Sequence, residues 1–139
     1  MRFKLTYSEI EGAIVGHTGK KITLSYSAYH SVRVGYDVNI LFKNTNIGVD
    51  LTVEQIQGSD LLLSFNGGSG IDYMLKMALN QAKDKPGAEM LELVGDNMIR
   101  LSLSKNPQAS QLFEHITLND IYFDEQDVTI DFTPKPLAQ

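Results

Sequence analysis

Few side chains in this chain are of the types that do chemistry, and their spacing does not gather them. His17, His30 and His115 stand far apart, without a His-x-His or His-Glu-x-x-His pair to hold a metal ion, so each reads as an ordinary loop or surface residue. Cysteine is absent, which removes disulfides, thiolate metal sites and a cysteine nucleophile. Ser27 and Ser31 flank His30, yet no Gly-x-Ser-x-Gly elbow presents a serine to a substrate. The carboxylate pairs Glu9/Glu11 and Glu89/Glu92 are of a kind too common to signal acid–base work without a pocket. Asp120, Asp124, Glu125 and Asp127 cluster without the EF-hand loop pattern and read as a solvated acidic turn. No catalytic residue, metal or cofactor is expected, and the chain reads as no enzyme. A triad can still be built from scattered residues, so an enzyme with a non-local site stands as a third reading.

The local stretch closest to a ligand motif is Asn66-Gly67-Gly68-Ser69-Gly70, which follows an alternating segment and precedes a helical one. Backbone N–H groups at such a junction can cradle an anion. No lysine follows, however, and the spacing is neither that of a Walker loop nor Gly-x-Gly-x-x-Gly. Asp72 would repel an anion there. The stretch reads as a turn that needs positive φ.

The elements that would position any site are mostly strands. Ile22, Leu24 and Tyr26 alternate with polar residues, as do Val32, Val34, Tyr36, Val38, Ile40 and Phe42, then Ile47, Val49, Leu51 and Val53, then Leu61, Leu63 and Phe65. Ile99, Leu101 and Leu103, then Ile116 and Leu118, then Val128, Ile130 and Phe132 continue the pattern. One dry face and one wet face per strand is the signature of an antiparallel sheet. Lys43-Asn44-Thr45-Asn46, Gln57–Asp60 and Asp124–Asp127 read as hairpin loops. Residues 69–83 switch to helical spacing, with Ile71, Met74, Leu75, Ala78 and Ala82 on one stripe, Ser69 as N-cap, Asp72 completing a capping box, and Pro86-Gly87 as the stop. Residues 106–114 form a short helix capped by Asn106 with Pro107 first, and residues 7–16 a further one behind Thr6 and Glu9. The expectation is a single α+β domain over residues 1–139: a curved, mostly antiparallel sheet with one main amphipathic helix and one or two short helices.

Charge narrows the partners. The net charge is −5, with six basic and three acidic side chains before residue 44 and an acidic remainder. Such a body argues against nucleic acid. The longest apolar run, Leu61-Leu62-Leu63, is too short to span a membrane, and the first residues form no signal peptide, so a cytoplasmic location is expected. Two segments resemble each other: Leu51-x-Val53-x-x-Ile56 before Leu61-x-Leu63-x-Phe65, and Ile116-x-Leu118-x-x-Ile121 before Val128-x-Ile130-x-Phe132. Each holds a phase slip that suggests a β-bulge or a crossover between layers, although hairpins of this composition look alike in any case.

Apolar surface is what remains. Tyr73 and Met77 lie one turn apart, off the stripe that faces a sheet, and are expected to meet a partner chain, most simply a second copy in a homodimer. His115-Ile-Thr-Leu-Asn-Asp-Ile-Tyr-Phe-Asp with Val128-Thr-Ile-Asp-Phe, together with the order of strand pair, helix, strand, short helix and strand pair, resembles tubular lipid-binding domains. The resemblance implies a sheet wrapped around a helix, enclosing a groove for an apolar small molecule. Val38, Ile40, Phe42, Val49, Leu51, Met74 and Leu75 would then line it. The leading expectation is a non-enzymatic module for an apolar or lipid-like molecule, and the alternative an interaction or assembly protein.

Overall fold

Thr6 ends one element and starts another. Its hydroxyl accepts the Glu9 N–H at 3.1 Å while the Glu9 carboxylate accepts the Thr6 N–H at 3.0 Å, the reciprocal box that the spacing predicts. It joins strand β1 (Arg2–Thr6) to helix α1 (Tyr7–Thr18), which closes on Gly19 at φ +71°. The computed structural model describes residues 1–82 and 88–136, and for residues 38–40, 82 and 88 the backbone alone.

The alternating segments form strands as their period requires. They are β2 (Ile22–Ala28), β3 (Ser31–Ile40), β4 (Lys43–Gln57), β5 (Asp60–Asn66), β6 (Leu91–Gly95), β7 (Met98–Ser102), β8 (Ile116–Phe123) and β9 (Asp127–Pro134). Helix α2 (Ser69–Ala82) follows β5, and α3 (Pro107–Phe113) follows β7 with Asn106 capping it. The fold is α+β, with two antiparallel sheets in the orders β2-β3-β4-β5-β7-β6 and β1-β9-β8, neither closed into a barrel.

Register places one apolar face on the larger sheet. Val32 and Val34 oppose Leu51 and Val49, Leu51 opposes Phe65, and Leu63 opposes Ile99. At one end Tyr7, Phe123 and Val128 pack with Val32, ringed by Ile10, Leu24, Val34, Leu51, Val53 and Ile121, so α1 and the smaller sheet cover that end together. Glu11 Oε2 accepts the Leu24 N–H at 2.7 Å, which ties α1 to the outer strand β2. At the other end Gly67 lets α2 approach β4: a Cβ there would lie 2.7 Å from Ile71 Cγ2 and 3.0 Å from the Gly48 carbonyl oxygen.

Two local expectations shift. The β3–β4 turn is Leu41-Phe42, and Lys43–Asn46 belong to β4, paired with Asp37–Ile40. The register that sets Val32 and Val34 against Leu51 and Val49 outweighs the local turn preference of asparagine. Helix α2 also begins one residue earlier than Ser69 as cap would have it, because the Asp72 N–H already bonds the Gly68 carbonyl. The stop at Pro86-Gly87 lies outside the described residues.

Two outcomes test this packing. Gly67→Ala should lower stability by about 1–3 kcal/mol through overpacking. Gly12→Ala, where a Cβ meets nothing within 4 Å in the middle of α1, should raise it by about 0.5–1 kcal/mol. Urea melts of both variants check the pair. The second outcome concerns acid. The Thr6 backbone N–H, and then its hydroxyl, hold the Glu9 carboxyl below its ordinary value, and the N–H groups of Gln126 and then Asp127 do the same for Asp124. A folded value below the unfolded one gives stability that is complete above about pH 4 and is lost as pH falls through the folded value. Asp124→Asn keeps an accepting oxygen and should flatten the acid slope of the urea midpoint while leaving the midpoint at neutral pH nearly unchanged.

Candidate functional site

The residues expected to line a groove are distributed over four places. Val49 is buried and Leu51 packs against the core cluster, both on the covered face of β4. Leu75 is half-buried and Met74 exposed on α2. Phe42 stands in the β3–β4 turn, fully exposed, so it is not the inward residue that the alternation predicts. Val38 and Ile40 lie in β3 with side chains outside those described. Tyr73 and Met77 are exposed on α2, Tyr73 to 65%, as their helical spacing predicts.

The glycine-rich loop is closed by its own helix. Asp72 is 8% exposed; its Oδ1 accepts the Gly67 N–H at 2.8 Å and its Oδ2 accepts Asn97 Nδ2 at 2.7 Å. Asn66 Oδ1 accepts the Gly68 N–H at 3.3 Å. The N–H groups of Gly67 and Gly68 are thus filled by carboxylate and amide oxygens, and Asp72 with Asn97 locks α2 to the β6–β7 turn. Asn97, at φ +58° in that turn, also donates to the Phe65 carbonyl at 3.2 Å, so one side chain holds β5, α2 and the turn together.

A polar cleft of about 230 Å³ opens where β4 and β8 bend, lined by His30, Val53, Glu54, Gln55, Ile56, Asn119 and Asp120. His30 Nε2 lies 3.2 Å from Asp120 Oδ1, with both side chains more than a third exposed. Asp120 Oδ1 also accepts the Ile121 N–H at 2.9 Å, and Tyr29 stacks on Tyr122 at 5.0 Å between ring centroids. The arrangement holds an imidazole and its carboxylate, but its lining contains no serine, threonine, cysteine or lysine to act as nucleophile. The nearby hydroxyls of Ser31 and Thr52 bond each other at 2.6 Å. Among the described residues, no three His, Asp or Glu side chains gather as a metal site.

The β3–β4 hairpin departs most from ordinary surface. The pairing of β2 with β3 begins at Ile22 opposite Tyr36, and that of β4 with β5 at Asp50 opposite Asn66. Among the described residues, therefore, no third strand flanks the ribbon of residues 37–46. Its tip is Leu41 at φ +50° and Phe42 at φ +65°, with Leu41 90% exposed. A two-residue turn with both φ positive calls for Asn-Gly or a similar pair. The sequence carried one signal of this tip: Leu41 is an apolar residue out of phase with the alternation around it.

A second apolar feature lies between α1 and β1, where Leu5, Ile10, Ala13 and Ile14 wall a shallow cleft of about 390 Å³ whose remaining lining is Glu9, His17 and Thr18. β1 has β9 as its one strand neighbour among the described residues, so its other edge pairs with no strand, although Glu9 takes the N–H of Thr6 at its end. No protein family, curated protein or solved structure matches this chain.

The loop geometry carries its own test. Asp72→Ala removes two hydrogen bonds to a buried carboxylate and should cost about 3 kcal/mol or more. Because the Asp72 carboxyl takes the Gly67 N–H and lies where an anion would approach, inorganic phosphate should leave the melting temperature of the wild-type chain where it is; calorimetry with and without phosphate checks both statements.

Proposed function

We propose that this chain is an interaction and assembly module, a non-enzymatic protein that engages another protein chain through the β3–β4 ribbon. The observation that carries the reading is the turn itself: Leu41 and Phe42 hold positive φ with their side chains in solvent. A residue with a Cβ costs about 1–2 kcal/mol in that conformation. An exposed large apolar side chain further forgoes about 1.5–3 kcal/mol that burial would give. Asn-Gly would relieve both, so the choice of Leu-Phe makes sense as a gain realised in contact with something outside the folded chain.

Other features point the same way. A two-stranded ribbon is at best marginally stable alone, and this one reaches past both of its lateral neighbours. Tyr73 and Met77 add exposed apolar surface on α2. The apolar-ligand reading has less support, because Val49 and Leu51 already serve as packing and Phe42 stands apart from them. The His30 cleft has no serine, threonine, cysteine or lysine in its lining, so the enzyme reading has no Ser–His or Cys–His pair there to rest on.

Replacing Leu41 and Phe42 together, by Asn and Gly, separates folding from contact. At a protein concentration where the chain is monomeric, the double variant should be more stable than wild type by about 1–2 kcal/mol, since it relieves the strained turn. A lower melting temperature would mean that the apolar tip serves the fold, and the assembly reading would fall.

A further inference from the structure

The exposed tip and the apolar cleft occur on one chain, and their chemistry matches. We propose that the Leu41-Phe42 tip of one copy seats in the α1–β1 cleft of the next, a head-to-tail contact that makes the chain self-assembling; the inference rests on the assembly reading above. The tip is a pair of large apolar side chains with Lys43 immediately beside it and Asp37 on the opposite strand of the ribbon. The cleft walls are Leu5, Ile10, Ala13 and Ile14, with Glu9, His17 and Thr18 completing the lining. Lys43 therefore has the Glu9 carboxylate as its partner when the tip enters, an opposite-charge contact of the kind that fixes orientation at a protein interface. Glu9 is held ionised by its bonds to Thr6, so the rim keeps its charge at any neutral pH.

Area sets what else must take part. Phe42 can bury on the order of 200 Å² and Leu41 somewhat less. A stable interface buries about 800 Å² per partner, so the tip alone falls short. The remainder is available in backbone. Among the described residues no third strand flanks the ribbon along 37–40 and 43–46, and no strand other than β9 pairs with β1, whose Thr6 N–H is filled by Glu9 but whose outer edge over Arg2–Leu5 has no strand partner. Strand addition at that edge would complete the contact with main-chain hydrogen bonds. The tip and the cleft lie on different elements, so using one leaves the other free. The contact is heterologous, and it propagates to a ring or a filament according to the rotation between copies.

Complementation by sedimentation velocity tests this. Wild type should gain mass with concentration. A tip variant, Leu41→Asn with Phe42→Gly, and a cleft variant, Ala13→Glu, should each remain folded by circular dichroism and associate with themselves at least about thirtyfold more weakly. Ala13 is an exposed helical position where glutamate is a good helix former, so the second variant keeps its fold. Mixed together, the tip variant still offers a cleft and the cleft variant still offers a tip, and the two should form a one-to-one pair that grows no further. Wild type that associates while the mixture stays monomeric would overturn the tip-in-cleft contact and leave the assembly reading standing. Wild type monomeric at every concentration would overturn self-assembly altogether. The same monomer binding vesicles of phosphatidylcholine and phosphatidylserine through the tip would replace a second copy with a lipid surface as the occupant.

Discussion

Phe123 donates its backbone N–H to the Tyr29 carbonyl at 2.8 Å, and its ring is buried with Tyr7, Val32 and Val128. Around that seam the rest of the molecule is arranged. The larger sheet has one apolar face and nothing in its own strands to cover it. The smaller sheet has three strands and buries Phe123 and Val128 against the larger one. Joining them at Phe123 gives that face its cover at one end. Tyr7 secures the joint from α1, with its hydroxyl donating to the Asp124 carbonyl at 2.6 Å and its N–H facing the Gln126 carbonyl. The Asp124 side chain in turn fixes the β8–β9 turn by accepting the N–H groups of Gln126 and Asp127. A perturbation at this joint therefore reaches α1, the turn and both sheets together.

Cover over the sheet runs out away from the seam. α2 is pinned at its start by Asp72 and Gly67, but Leu91, Leu93 and Val94 of the outer strand β6 remain exposed, as do Met74 and Met77. The accessible surface is 9430 Å², against roughly 7,200 Å² for a compact monomer of this mass. Excess surface of this kind is costly to a solitary chain and useful to one that buries part of it against another. The Leu41-Phe42 turn is the extreme case of the same economy, a local choice that contradicts turn chemistry and lies outside the core.

How much of this was legible in the sequence depends on the range of the interaction. Period-2 runs gave the strands of both sheets except β1 and β6, whose Arg2-Phe-Lys-Leu-Thr and Leu91-Glu-Leu-Val-Gly are short and flank other signals. Capping chemistry identified α1 through Thr6 and Glu9, and α3 through Asn106 and Pro107, because each bond spans two or three residues. Register failed at Lys43–Asn46, since asparagine-rich composition argues for a turn and only the pairing partner across the sheet decides otherwise. The candidate surfaces divide in the same way. Tyr73 and Met77 followed from helical spacing, whereas the α1–β1 cleft required knowing that β1 is a strand with an open edge. Asp72 was placed in the first turn of a helix, but its bond to Asn97 joins residues 25 positions apart and left no local trace.

The two similar hairpins make the point in reverse. Both phase slips are bulges, one between Val53 and Gln55 opposite β5 and one between Leu118 and Asp120 opposite β9. A duplication would place them at equivalent sites in separate units. Instead they face one another: Glu54 and Gln55 from the first and Asn119 and Asp120 from the second line the same cleft, with His30 between the strands. β8 packs against β4 there, and each strand keeps pairing with its own neighbour through a register shift at that point. A bulge bends the strand and turns the extra residue, Glu54 or Asn119, outward to solvent. The repeated pattern is therefore two solutions to one packing constraint at the seam between sheets, and the His30–Asp120 pair spans the gap that the bends leave.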